Sequence, residues 1–316
     1  MRTPYRLIED EDLRAKIRVV QKGDDDYPAC LELYPRSPKL LYVCGNLPDP
    51  SVRSVAVVGS RGCDPYGRDE AERFAGVLAA NGVQIISGMA YGIDAGAHKA
   101  ALRAGGRTFA VLGCGVDVCY PKENYEIYRE MIETGGGVIS EFEPKAPPNG
   151  WHFPVRNRII SGLSDLVLVV EARLKSGSLI TADYALEQGK EIFAIPGRND
   201  DPLSAGCNRL IAQGAQIARD PEDLLAALGL YIEGKNQKRE RDILKGALPL
   251  PFEAKTKFEH ADDFRKVYGC LSSRPVSLDE LTVRTGMDIQ NLSAILVQLC
   301  LSGYAAEETH GFFCKV

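Results

Sequence analysis

The stretch Val55-Ala-Val-Val-Gly-Ser-Arg-Gly62 runs four apolar residues straight into a glycine-flanked Ser-Arg pair. Four consecutive apolar side chains leave a strand no polar face, so it must be covered on both sides, as strands of a parallel sheet are. A glycine just after such a strand lets the backbone turn sharply. The amides of that turn, together with the positive end of the next helix, suit an anion. Arg61 adds a guanidinium that can grip phosphate through two N–H bonds. The same residues also read as a tight turn carrying a solvated arginine, because short glycine motifs recur without function.

On either side of this stretch the pattern repeats. Strands are predicted at Val55–Gly59, Gln84–Ser87, Thr108–Leu112, Gly137–Ser140, Leu166–Glu171, Glu191–Ile195 and Ala215–Ala218. Helices are predicted between and after them, at Gly67–Ala80, Ile93–Ala104, Glu123–Thr134, Arg156–Leu163, Ser178–Glu187 and Asn208–Gln213. This alternation over residues 54–230 specifies an α/β, doubly wound, mostly parallel sheet of Rossmann type. Residues 1–53, with the proline-rich run Tyr27–Pro38, read as a short entry segment of turns and brief strands.

Residues 231–257 are polar, carry seven basic against four acidic side chains and lack periodicity, so they read as an exposed linker. In the last segment, 258–316, a helix is predicted at Asp263–Leu271. A helix start follows at Ser277 with Glu280 three residues on, then a turn at Thr285-Gly-Met and a helix over Asp288–Leu301. A hairpin over Tyr304–Val316 completes the pattern of a small winged helix.

Composition narrows the function. A chain of 316 residues exceeds one domain at roughly 100–200 residues each. Its 45% hydrophobic and 26% charged content is that of an ordinary globular protein. The acidic start, without an apolar run, predicts no secretory leader or membrane span and a cytoplasmic location. Nine cysteines with no Cys-x-x-Cys read as reduced thiols, and four scattered histidines give no metal site. The net charge of −5 confines any nucleic-acid binding to a local patch.

Gly-x-Ser-x-Gly, Walker A and His-Glu-x-x-His are all absent. Asp94 and His98, at i and i+4, read either as an acid–base pair or as a helix-start acid with a hydrogen-bonded histidine. Glu141 and Glu143 read as paired carboxylates or as solvent-facing residues at a strand end.

Two further loops are candidates. Lys175-Ser-Gly-Ser-Leu-Ile-Thr181 follows a predicted strand and opens a helix, offering amides, hydroxyls and a lysine. Trp151-His-Phe-Pro-Val-Arg-Asn-Arg158 interleaves aromatic and basic residues, as single-strand binding requires. It also reads as a proline-initiated helix with surface arginines. All three loops follow strands and can share one sheet edge.

The ordered motifs Asp26-Tyr-Pro, Leu41-Tyr-Val-Cys-Gly-Asn, Val57-Val-Gly-Ser-Arg, Ser87-Gly-Met-Ala-Tyr-Gly-Ile-Asp-Ala-Gly-Ala-His, Tyr120-Pro-Lys-Glu-Asn, Phe153-Pro-x-Arg-Asn-Arg-Ile-Ile, Lys175-Ser-Gly-Ser-Leu-Ile-Thr-Ala and Ile195-Pro-Gly resemble the DNA-processing protein A (DprA, or Smf) family from Tyr27 to about Leu225. The resemblance implies an extended Rossmann domain that binds single-stranded DNA, self-associates as a dimer and loads the RecA recombinase onto incoming DNA in natural transformation, with no catalysis and no cofactor. It implies DNA contacts from Gly59, Ser60 and Arg61, from Phe153, Arg156, Asn157 and Arg158, and from Lys175, Ser176, Gly177 and Ser178. Residues 1–50 are too short for the helical, sterile-alpha-motif-type domain with which the family commonly starts. The C-terminal segment fits the winged-helix-like domain of many members. Its helix Asp288–Leu301 has no Lys or Arg, and 258–316 has five basic against eight acidic residues, so an auxiliary or protein-contacting role is expected there.

Two other classes compete: a Rossmann-like hydrolase holding a nucleoside phosphate with Arg61, Lys175 and Asp94, and a plain dimerisation scaffold. Release of phosphate or base from nucleotides separates the hydrolase from the binder.

Overall fold

The computed structural model describes residues 3–230, 261–272, 275–309 and 311–315. The chain forms two compact units, Met1–Leu230 and Tyr231–Val316. The expected linker lies outside the described residues.

In the first unit β1 (Arg6–Leu7), α1 (Glu11–Ala15), β2 (Ile17–Gln21), α2 (Ala29–Glu32) and β3 (Leu40–Gly45) lead into β4 (Ser54–Val58). From there strand and helix alternate: α3 (Pro65–Ala80), β5 (Gln84–Ser87), α4 (Ile93–Arg103), β6 (Thr108–Val111), a short β7 (Val118–Cys119), α5 (Tyr125–Glu133) and β8 (Gly137–Ser140). The second half continues with α6 (His152–Gly162), β9 (Leu166–Val169), α7 (Ser178–Glu187), β10 (Glu191–Ala194), α8 (Ala205–Ala212), β11 (Gln216–Ile217) and α9 (Pro221–Ala227).

Nine of these strands form one sheet in the order β11-β10-β9-β4-β5-β6-β8-β3-β2. The seven from β11 to β8 are parallel, and β3 and β2 add an antiparallel edge. Every residue of β4 is buried, as its apolar run Val55–Val58 requires. From β4 the chain moves outward through β5, β6 and β8, then returns to lay β9 against the other side of β4. That reversal is the topological switch point, where the crevice for a ligand opens at the carboxyl ends of the strands.

Residues 1–53 differ from the expected entry segment. β2 and β3 belong to the sheet, with Val20, Leu41 and Val43 in its core. The proline-rich run between them folds back, and the buried Tyr27 hydroxyl donates to the Pro38 carbonyl at 2.7 Å.

The second unit contains α10 (Ala261–Cys270), β12 (Val276–Ser277), α11 (Leu278–Thr285), α12 (Ile289–Leu301), β13 (Ala305–Thr309) and β14 (Phe312–Lys315), with strand order β12-β14-β13. Ser277 caps α11 by accepting from the Glu280 amide at 3.2 Å, Gly286 ends it at φ 65°, and Asp288 caps α12. Phe264, Val267, Leu281, Leu292 and Leu296 form its own core. Helix, two-helix turn and hairpin make it a winged helix.

Candidate nucleic-acid interface

At the switch point the end of β4 and the starts of α6 and α7 enclose a crevice of ≈ 640 Å³. Its first wall is Gly59-Ser60-Arg61. A Cβ on Gly59 would lie 2.5 Å from Ile93 Cγ1, and one on Gly92 would lie 2.4 Å from the Ser60 carbonyl oxygen. Only glycines let the two segments approach this closely. The Ser60 N–H donates to the Glu171 carbonyl at 2.8 Å, pinning the turn to the end of β9. Arg61 itself is exposed, with its guanidinium 5.0 Å from the centre of the Phe153 ring. Among the described residues no carboxylate lies within ion-pair distance of it, so its charge is open to a ligand.

The positive helix end was expected to follow this turn, and the structure places it elsewhere. The N-terminus of α3 is taken by carboxyl groups: Asp64 accepts from the Gly67 amide at 2.8 Å, and Glu171 packs so closely that a Cβ on Gly67 would lie 2.8 Å from its Cδ. The open end belongs to α7. Gly177 is its N-cap without a side-chain cap, and Ser176, Gly177, Ser178 and Thr181 line the crevice. Ser178 is the first helical residue, and its hydroxyl pairs with that of Ser176 at 2.7 Å.

The third segment is a helix start, not a loop. α6 begins at His152, with Pro154 in its first turn, where a missing N–H costs nothing. Phe153, Arg156, Asn157 and Ile160, at helical spacing, all line the crevice. Phe153 packs against Tyr120 at 5.5 Å and against Gly113, where a Cβ would lie 2.8 Å from its ring. Asn157 donates to the Gly177 carbonyl at 3.1 Å, tying the second loop to the helix.

Arg156 is 3% exposed and acts chiefly within the protein. Its Nη1 donates to the Gly88 carbonyl at 2.9 Å and to the Val111 carbonyl, joining the ends of β5 and β6. Burial brings its guanidinium down to about 10, against the opposing pull of Asp94, so it stays charged at neutral pH. Asp94 is buried too and accepts from the Gly88 and Ala90 amides at 3.1 and 3.2 Å. Burial pushes its carboxyl up, while Arg156 and these amides oppose the rise.

His98 is fully buried, with Nδ1 2.7 Å from the Thr108 hydroxyl, which is the hydrogen-bonded alternative rather than an acid–base pair with Asp94.

Two candidate residues stand apart. Arg158 projects from another face of α6 and forms a two-pronged pair with Glu141, both oxygens at 2.6 Å, while its Nε donates to the Arg36 carbonyl. A helix that places Phe153 and Arg156 on one face turns residue 158 away. Glu141 therefore partners Arg158 rather than Glu143. Lys175 is exposed and lies outside the crevice lining. Tyr120 and Thr181 line the crevice without having been assigned to it, and Asp94, named for the hydrolase reading, lines it too. The Tyr120-Pro-Lys-Glu-Asn motif was the available signal for the first.

Glu171, 3% exposed, supports the Arg61 turn from below. Its Oε2 has no hydrogen-bond partner, and burial, aided by neighbouring Asp64, pushes its carboxyl up to about 8 from 4.5. The folded state thus holds a proton that the unfolded chain has released. Stability should therefore fall as pH rises from about 4.5 to about 8. Glu171→Gln is expected to remove this group's contribution to the decline, raising the melting temperature at pH 8 but not at pH 4. Parallel melting curves for the two proteins across that range would contradict the assignment.

An open, mostly parallel sheet with an arginine, an aromatic ring and a helix N-terminus at its switch point, in one chain with a winged helix, defines a Rossmann-like protein of two modules. A model of the DNA recombination-mediator protein A family matches residues 18–229, and one of the DprA winged helix domain matches 252–309. The chain belongs to the DNA-processing protein A (DprA/Smf) family. It is 38% identical to Protein Smf of Escherichia coli over 90% of this chain and 76% of that one. It is 46% identical to the DNA processing protein DprA of Streptococcus pneumoniae over 64% and 71%.

The X-ray structure of the S. pneumoniae protein superposes with a TM-score of 0.63 at 43% identity, covering 68% of this chain and 76% of that one. DNA processing protein A from Helicobacter pylori, whose structure is described for its single-stranded DNA binding mode, gives 0.60 at 31% over 67% and 95%. Among the described residues no helix is long and apolar enough to cross a membrane.

Proposed function

We propose that the chain binds single-stranded DNA in the switch-point crevice without reading its sequence, and that it mediates recombination by loading RecA onto that strand during DNA processing and natural transformation. The observation that carries this is the convergence in one crevice of Arg61, Phe153 and the open N-terminus of α7. Phosphates suit the Gly177 amide, the Ser176 and Ser178 hydroxyls and the Arg61 guanidinium. A base entering beside Phe153 meets both a ring and a guanidinium plane. Gly59 and Ser60 shape the turn, Asn157 positions the second loop, Arg156 supplies a positive charge beneath the floor, and Lys175 attracts the strand from outside.

RecA as partner, action as a homodimer and a cytoplasmic setting are parts of the same proposal. They draw support from the recombination-mediator family to which the chain belongs. No catalytic step is included, because the acid nearest the crevice, Asp94, is held by two amides and opposed by Arg156.

The test is fluorescence anisotropy of a labelled oligo-dT strand against a matching duplex across a salt series. Tighter, salt-sensitive binding of the single strand is expected. Equal affinity for both would defeat the proposal, and phosphate release from nucleotides would turn it toward the hydrolase.

The winged helix has an auxiliary, protein-contacting role in this proposal. The outward side of α12 carries Val297 and Leu301, 55% and 82% exposed, where a groove-reading helix would carry cations. A fragment of residues 258–316 is expected to show no steeply salt-dependent binding to duplex DNA. A steep slope would assign it a direct DNA role instead.

A further inference from the structure

Trp151 is the sole tryptophan of the chain and is 67% exposed. It is the N-cap residue of α6, between Gly150 and Phe153, both of which line the crevice, so it stands at the crevice margin. Its position is built from below. His152 stacks on Phe142 with ring centres 3.8 Å apart and 16° between planes, and its Nδ1 lies 3.0 Å from the Gly113 carbonyl oxygen. Trp151 meets His152 at 4.1 Å and 78°, and Phe142 at 6.5 Å and 89°, both T-shaped. None of these rings stacks on it, and with two-thirds of the residue exposed an indole face is left open.

Gly113 thus anchors two aromatics at once: its carbonyl holds the His152 prop under Trp151, and its missing side chain makes room for Phe153. A large apolar ring left in water on a rigid support is a surface suited to binding. Tyrosine and tryptophan present such area at small entropic cost. Gly150 just before it and Phe153 two residues after it line a crevice that already offers a cation and an aromatic ring.

We infer that Trp151 is a second stacking platform, taking an unpaired base of the same strand whose phosphates lie at Arg61 and the α7 N-terminus. This rests on the single-strand reading above. Stacking of this kind tolerates any base, so it lengthens the footprint without adding sequence preference.

The sole tryptophan makes the test direct. Intrinsic emission of the full chain is expected to be quenched on adding oligo-dT, saturating at the stoichiometry seen by anisotropy. Trp151→Ala is expected to weaken binding about 5- to 100-fold, while Trp151→Phe keeps most of the affinity. Neither variant should change the slope of affinity against salt, because no ion pair is lost, whereas Arg61→Ala lowers it.

A strand that binds with the emission unchanged, or a Trp151→Ala protein that binds like wild type, overturns the platform and leaves the crevice standing. A wild-type chain that fails to bind single strands even at low salt overturns both. A Trp151→Ala loss that is equal on an abasic strand also overturns stacking, since that strand offers no base to stack.

Discussion

Arg61→Ala is expected to weaken oligo-dT binding about 10- to 100-fold while leaving the fold intact. A hydrogen bond to a charged group is worth about 1.5–3 kcal/mol, and about 1.4 kcal/mol is a factor of ten. Arg61 meets the conditions for the full value: it is exposed, it lacks a carboxylate partner among the described residues, and it lies over Phe153 beside the open end of α7. Losing one phosphate contact should also reduce the slope of log affinity against log salt by about 0.7.

The contrast with Arg158 gives the test its edge. That guanidinium, 13% exposed by its side chain, is committed to Glu141, so Arg158→Ala should lower stability and leave DNA affinity nearly unchanged. Anisotropy titrations at three salt concentrations on the three proteins decide the matter. An Arg61→Ala protein that binds like wild type, or an Arg158→Ala protein that is folded yet loses binding as strongly, would place the site elsewhere.

What separates these two arginines could not be read from the sequence, and the reason is local. Read as beginning at Arg156, after the proline, the helix gives no face to which Phe153 could belong. The structure begins it at His152, and from that start the spacing 153, 156, 157, 160 sorts the basic residues into one that underlies the crevice and one that leaves it. The strands of the parallel sheet were legible because their burial on both faces writes unbroken apolar runs, as in Val55–Val58. The edge strands were not. β2 spans only five positions and buries only Val20, so it writes no apolar run, and the proline-rich run before β3 looks like a loop whether or not strands flank it.

The direction of a helix dipole was likewise hidden. Sequence places a helix after both phosphate-suited loops, but only packing shows that Glu171 and Asp64 occupy one N-terminus and leave the other free.

Arg156 carries the largest expected effect on stability, and its role differs in kind from that of Arg61. Its side chain closes over the Gly88 and Val111 carbonyls beside the Asp94 carboxylate. All of these are buried, and Gly88 is glycine because a Cβ there would lie 2.7 Å from Asp94 Oδ2 and 2.8 Å from Arg156 Nη2. Arg156→Met removes the cation, leaving the buried Asp94 carboxyl with its two amide donors but no nearby positive charge, and leaves the Gly88 and Val111 carbonyls without its N–H. Leaving buried polar groups unsatisfied costs about 1–3 kcal/mol each, more for a charged one, a large part of the roughly 5–15 kcal/mol that holds a domain together.

The denaturant midpoint should therefore fall sharply. Adding Asp94→Asn should recover part of the loss, since a neutral amide oxygen can still accept from Gly88 and Ala90 while the unpaired charge is gone. The double-mutant cycle then gives a coupling well above the few tenths of a kcal/mol expected of independent sites. A single variant as stable as wild type, or a cycle with no coupling, would mean that Arg156 is a ligand contact and not the tie between β5, β6 and α6 that the structure shows. If it is that tie, single-strand binding by Arg156→Met should fall only in step with the folded fraction, apart from the modest loss of a positive charge beneath Phe153, and cooling should restore most of it.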